Sequence, residues 1–206
     1  MAYRKIDSKQ SNDKKTKPEN RYDNVLSYLK DFVVLLSVIL LVLLLLFRVV
    51  IVEGPSMNNT LVDGDYVILL NNVLYRNPQQ GDIVVVSKDS FKNGEPIIKR
   101  VIATEGQTVD IDFTLGVVSV DGKPLDEPYT LTPTNIKEGV SFPLTVEKGC
   151  IFVMGDNRNK SQDSRSPEIG LVDCREVMGK AIFLVLPGTN NGAVSRDFGR
   201  IGALWQ

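Results

Sequence analysis

The sequence predicts a mainly β domain held behind one apolar helix. Three observations carry that reading: an almost unbroken apolar run near the N-terminus, a series of short β-branched runs beyond it, and turn residues between those runs. At 206 residues the chain has room for one folded domain and a small appendage, since domains typically run about 100 to 200 residues.

In chain order, residues 1–31 come first, with eight Lys/Arg against five acids. Residues 5–24 are dense in Lys, Asp, Asn, Ser and Gln. A segment with so little to bury cannot offset its ordering entropy, and disorder is expected there.

The apolar run FVVLLSVILLVLLLLF follows from Phe32 to Phe47, Arg48 interrupts it, and Val49 to Val52 continue. As one helix, residues 32–52 would rise about 31 Å, close to the thickness of a hydrocarbon core. Arg48 can snorkel to the interface. A cleaved leader would need small residues after a shorter apolar stretch, and bulky Ile51 and charged Glu53 stand there instead. An uncleaved transmembrane anchor is expected, crossing once. The excess of Lys and Arg before it places residues 1–31 in the cytoplasm and the rest outside the cell membrane.

Residues 53–206 then change character. Short runs recur at Tyr66–Leu70, Ile83–Val86, Ile97–Ile102, Val109–Ile111, Val117–Val120, Leu144–Val146, Ile151–Met154 and Ala181–Leu186. None is long enough for a soluble helix, and Asp121-Gly122 is a type I′ hairpin signal. Residues 107–150 form either a small subdomain or an elaborated hairpin.

Composition removes several functions. A net charge of -1 offers no field to attract nucleic acid. Histidine is absent, which excludes Ser-His-Asp and Cys-His catalysis and every histidine metal site. Two cysteines, Cys150 and Cys174, cannot make a four-ligand zinc site. Outside the cell they could pair or remain separate thiols.

Chemistry is therefore sought around the serine in IVEGPSMNNTL, residues 51–61. A serine hydroxyl needs a base, and without histidine the strongest candidate is a neutral lysine. At pH 7 an ordinary lysine costs about 4.6 kcal/mol to deprotonate, and burial removes most of that cost. Lys99 stands between Ile97-Ile98 and Val101-Ile102, where an ammonium is hard to bury. Strand alternation points Arg100 to the opposite face, toward solvent or an acid. The plainer reading makes Lys99 a half-exposed lysine guarding a sheet edge.

A third stretch, VMGDNRNKSQDSRSPEIG, packs hydrogen-bonding side chains behind an apolar run. Alone it reads as a polar loop, or a calcium loop through Asp156, Asn157 and Asp163, although its spacing is not that of an EF-hand.

Taken together, the anchor, GPSM (residues 54–57), GDIVVV (residues 81–86), KRVIATEG (residues 99–106) and GDNRNKSQDSR (residues 155–165) occur in an order that resembles the type I signal peptidases. The bacterial, single-anchor, Gram-positive-like subgroup fits best, and the resemblance covers residues 32 to about 188. It implies a membrane-anchored, signal-peptidase-like β domain with one N-terminal transmembrane helix. Its activity would be that of a serine endopeptidase cleaving signal peptides after Ala-x-Ala. Ser56 would be the nucleophile, with its backbone N–H in the oxyanion hole, and Lys99 the general base. Met57 would support the serine turn and Ser161 would position the lysine amine. Asp163 with Arg165 would brace the loop, with Asp156 and Arg158 as further structural polar residues and Asp156 paired to Arg165 or Arg100. No cofactor or metal is implied. The partners implied are secretory precursors and the lipid bilayer, with the enzyme acting as a monomer.

The chain departs from the family pattern in three places. Asn59 precedes Thr60 where proline is usual, Gln107 replaces a frequent Asp, and Gly54 stands where some relatives carry an oxyanion-binding serine. Two rivals remain: a self-cleaving Ser/Lys protein of the SOS-repressor type, and an inactive membrane-anchored β binding module.

Overall fold

The computed structural model describes residues 21–189 and 195–204. The chain divides into two compact units, Met1–Val42 and Leu43–Gln206. Helix α1, Arg21–Leu46, starts in the first of these. From Asn24 to Leu46 it is long and apolar enough to cross a membrane, and none of its most apolar window is buried against protein. Ser37, its polar interruption, returns its hydroxyl to Val33 O at 2.8 Å, so no donor is left facing an apolar surrounding.

Both ends of the helix differ from the sequence reading. Its described part already runs from Arg21, well before Phe32: Val25, Leu26, Tyr28 and Leu29 break up the polar residues there, and no Gly or Pro interrupts this stretch. It stops at Leu46 rather than Val52 because Phe47–Ile51 is a strand, where β-branched Val49, Val50 and Ile51 find a partner. The disorder expected over residues 5–24 falls, up to residue 20, outside the described residues, and residues 21–24 are helical instead.

The second unit is built from β1 (Phe47–Ile51), β2 (Tyr66–Asn71), β3 (Ile83–Val86), β4 (Ile97–Thr104), β5 (Thr108–Asp112), β6 (Val117–Val120), β7 (Lys123–Pro124), β8 (Leu144–Thr145), β9 (Cys150–Met154), β10 (Val172–Asp173), β11 (Val177–Leu186) and β12 (Gly202–Ala203). The large sheet runs β1-β2-β11-β3-β4-β9-β10, with β12 added to β11. Every pairing in it is antiparallel. The architecture is mainly β, as expected, and each of the eight sequence runs lies within or overlaps a strand.

Strand β3 shows why its run lacks alternation. All four residues are buried, with Ile83 and Val85 entering one core cluster and Val84 and Val86 another. A central strand covered on both faces needs apolar residues at every position.

A second sheet, β7-β6-β5-β8, is made by residues 108–145. Its hairpin turns at Asp121 and Gly122, φ 52° and 73°, the pair of positive values a type I′ turn demands. Val109, Ile111, Val118 and Val120 pack it against Ile102, Phe152 and Met154 of the large sheet. Cys150 sits against this cluster and Cys174 against another. Both are free thiols, pushed up in pKa by burial and then by the Asp173 carboxylate.

The feature that positions the site is a partial pairing. Strand β4 pairs with β3 over Ile97–Arg100, whereas β9 joins it only from Arg100 onward. Ile97 to Lys99 therefore lie beyond the stretch of β4 that β9 pairs.

Candidate active site

Ser56 lies in a turn between β1 and β2. Asn58 N donates to Pro55 O at 3.1 Å and Leu61 N to Met57 O at 2.9 Å, while Gly54 N donates to Asp63 Oδ1 at 2.8 Å. The Met57 side chain is fully buried with Val52, Leu61 and Ile98, which anchors the turn beside the serine in the core.

Lys99 reaches the same point from β4. Its Nζ donates to Ser56 Oγ at 2.9 Å and to Ile98 O at 2.9 Å, and the residue is only 3% exposed. The edge-lysine reading predicted exposure, so burial decides against it. Arg100 is buried as well and goes to an acid, not to solvent: its Nε and Nη2 donate to Asp156 Oδ1 and Oδ2 at 2.8 and 2.7 Å. Thr60 Oγ1 donates to the same carboxylate, and the guanidinium lies 3.9 Å from the Tyr129 ring centroid.

The loop after β9 supplies the remaining wall. Asn157 N donates to Ser56 O at 3.0 Å and Asn157 Nδ2 to Pro55 O at 3.0 Å, tying the loop to the serine turn. Asp163 receives Arg165 Nε and Nη2, both at 2.8 Å, and accepts from Gly155 N at 3.0 Å. Ser161 is buried, and its hydroxyl oxygen has no hydrogen-bond partner among the described residues. Gly155 is needed for close approach: a Cβ there would strike the Ser161 side chain and the Ser56 carbonyl.

Ser56, Met57, Lys99, Asp156, Ser161, Asp163 and Arg165 are thus brought into one region by these contacts. The calcium reading fails on the same contacts, because Asp156 and Asp163 are each neutralised by an arginine. Among the described residues no group of three or more His, Cys, Asp or Glu is placed to hold a metal ion.

Three participants escaped the sequence reading. Thr60 was noted only for its neighbour. Glu127 pairs with Arg158, which also donates to Thr134 Oγ1 at 2.9 Å, and Glu138 lies 3.1 Å from Arg165. Both glutamates belong to an irregular segment, where no periodicity marks a residue as inward.

A cleft of about 660 Å³ opens beside the serine and lysine. Residues 50–56 form one wall and residues 95–99 the other, with Val85, Phe91 and Gln162 completing the lining. The lining is mostly apolar, and both walls run toward the Ser56–Lys99 hydrogen bond.

A mainly β domain with a serine and a buried lysine at the end of an apolar cleft has the layout of a peptidase. The family model of signal peptidase, peptidase S26, matches residues 25–186, and the chain belongs to this family of serine peptidases. Signal peptidase I of Bacillus licheniformis is 35% identical over 180 residues, 83% of this chain and 94% of that protein. Signal peptidase I T of Bacillus subtilis (strain 168) is 36% identical over 192 residues, 88% of this chain and 95% of that protein. The crystal structure of a signal peptidase I from Enterococcus faecalis V583 has 30% sequence identity and a TM-score of 0.41, covering 50% of this chain and 96% of that one.

Proposed function

We propose that this chain is a membrane-bound signal peptidase that removes signal peptides from secretory precursors by a Ser56/Lys99 dyad, cleaving after small residues in an Ala-x-Ala pattern. The observation that carries the reading is the 2.9 Å hydrogen bond from Lys99 Nζ to Ser56 Oγ, in a chain with no histidine to serve as base.

Burial favours a neutral amine over an ammonium. The neutral Lys99 takes the Ser56 proton as Oγ attacks the scissile carbonyl, and the backbone N–H of Ser56 steadies the oxyanion. Lys99 then gives that proton to the leaving amine. Water, deprotonated in turn by Lys99, hydrolyses the acyl-enzyme ester and frees Ser56. Met57 holds the serine turn, and Asp156, Asp163 and Arg165 keep in place the loop that carries Ser161. No cofactor enters these steps.

The substrate is an extended segment that adds to a β-strand edge near the active site, with small side chains seated one and three positions before the scissile bond. The apolar helix anchors the enzyme once in the bilayer, its basic N-terminal flank in the cytoplasm and the β domain outside. Ser56 stands ten positions after Leu46, at most about 35 Å of chain, so the nucleophile stays close to the membrane from which precursors emerge. The protein acts as a monomer.

The test is cleavage of a precursor bearing an Ala-x-Ala site by the detergent-solubilised chain, beside Ser56→Ala and Lys99→Ala, from pH 6 to 10. Loss of cleavage in both folded variants supports the dyad. A Lys99→Ala enzyme as fast as wild type removes the lysine from the mechanism, and an inert wild type would leave the inactive-module reading.

A further inference from the structure

Glu138 lies outside every motif of the sequence, yet it meets the centre of the catalytic loop. Its side chain is 16% exposed, with Oε1 at 3.1 Å from Arg165 Nη2, and Oε2 accepts from Asp163 N at 3.4 Å. The backbone on either side of it wraps the same arginine: Val140 N donates to Arg165 O at 3.0 Å, and Arg165 Nη1 donates to Ile136 O at 3.2 Å. Arg165 Nη2 in turn donates to Arg158 O at 2.6 Å and Ser161 O at 3.4 Å. One guanidinium therefore fixes the loop that carries Ser161, and Glu138 braces that guanidinium from outside.

We propose that Glu138 is a positioning residue of the active site: it holds the Ser161 loop through Arg165 and sets the electrostatic field in which Lys99 exchanges its proton. This rests on the reading of Lys99 as general base. Glu138 does not line the cleft, so it acts through other residues and not on the substrate.

Asp163 and Arg165 are the charged residues in contact with it, and the field of Lys99 reaches it as well. Burial, and after it the Asp163 carboxylate, push the Glu138 carboxyl up to about 7, while Arg165 and Lys99 pull it the other way. The group therefore passes from acid to carboxylate close to neutral pH. Interaction between two titrating groups is reciprocal. Since the Lys99 charge favours the Glu138 carboxylate, the carboxylate favours the ammonium form of Lys99 and delays the appearance of the neutral base as pH rises. Removing the charge at 138 frees the amine at lower pH.

The experiment is the pH profile of kcat/KM from pH 5 to 10 for the full-length chain in detergent, comparing wild type with Glu138→Gln, Glu138→Asp and Glu138→Ala. The acid limb of Glu138→Gln is expected to move toward acid, while Glu138→Asp keeps the wild-type limb. Glu138→Ala should show the same displacement and, having lost the brace, a plateau kcat about tenfold lower with KM unchanged; it also serves if glutamine at 138 prevents folding. A limb that stays in place or moves upward in both uncharged variants overturns the inference and leaves the dyad standing. Wild-type cleavage that survives Lys99→Ala overturns the dyad itself.

Discussion

Arg100 and Asp156, 56 positions apart, form a two-point ion pair with neither side chain reaching solvent. The pair joins β4, which carries Lys99, to the loop that bounds the serine turn. Removing one partner of a buried pair strands the other charge and costs about 3–5 kcal/mol. Asp156→Ala should lose that much stability in denaturant melts of the folded chain, and a loss under about 1 kcal/mol, the range of an exposed pair, would show that the pair does not hold the loop.

Lys99 should behave in the opposite sense. Lys99→Met keeps the length of the side chain and removes a buried amine held at Ile98 O and Ser56 Oγ, so the cost of burying a polar group disappears with it. We expect no cleavage and an unfolding midpoint equal to or above wild type, the mark of a site that gives up stability for function. A variant that is both inactive and clearly less stable would assign Lys99 a structural role.

Gly155→Ala tests how closely the loop must approach the nucleophile. A methyl group at 155 meets the Ser161 side chain and the Ser56 carbonyl, and the loop must withdraw to admit it. Overpacking of this kind costs roughly 1–3 kcal/mol. Here the withdrawal also loosens the tie between Asn157 and the Ser56 carbonyl, so cleavage should fall further than stability. Equal activity in a purified, folded Gly155→Ala enzyme would mean that the loop tolerates displacement.

The raised Glu138 carboxyl also makes a prediction about stability. The group's ordinary value is 4.5 and its folded value about 7, so the folded state binds the proton more tightly than the unfolded chain does. The contribution to stability is therefore full below about 4.5 and is lost as pH rises through about 7. Unfolding midpoints measured at intervals from pH 4.5 to 8 should decline more steeply in wild type than in Glu138→Gln. Identical slopes in the two proteins would refute it.

Much of the fold was legible because a buried strand has a simple signature. Ile83–Val86 sits between two core clusters, and continuous apolar residues at that length have few other uses. Lys99 was legible for a related reason, since an amine amid Ile98 and Val101 contradicts its surroundings. Strand β1 was hidden: Phe47–Ile51 is as apolar as the helix before it, and only pairing with Tyr66–Asn71 separates the two. Glu127 and Glu138 were hidden differently, because contact with Arg158 and Arg165 depends on the path of an irregular segment that no local pattern encodes. The resemblance to signal peptidases supplied roles for Ser161, Asp163 and Arg165 that side-chain chemistry alone did not assign.

The tie between Asn157 and the Ser56 carbonyl has a temporal side. Ser56, Lys99 and the loop at residues 155–165 come from three distant parts of the chain, and bringing them together closes long loops at an entropic cost that grows with their length. A chain made only as far as residue 100 already contains Ser56 and Lys99, but it lacks β9 and the loop that confines them. Assembly of the site is thus deferred until that later segment has docked.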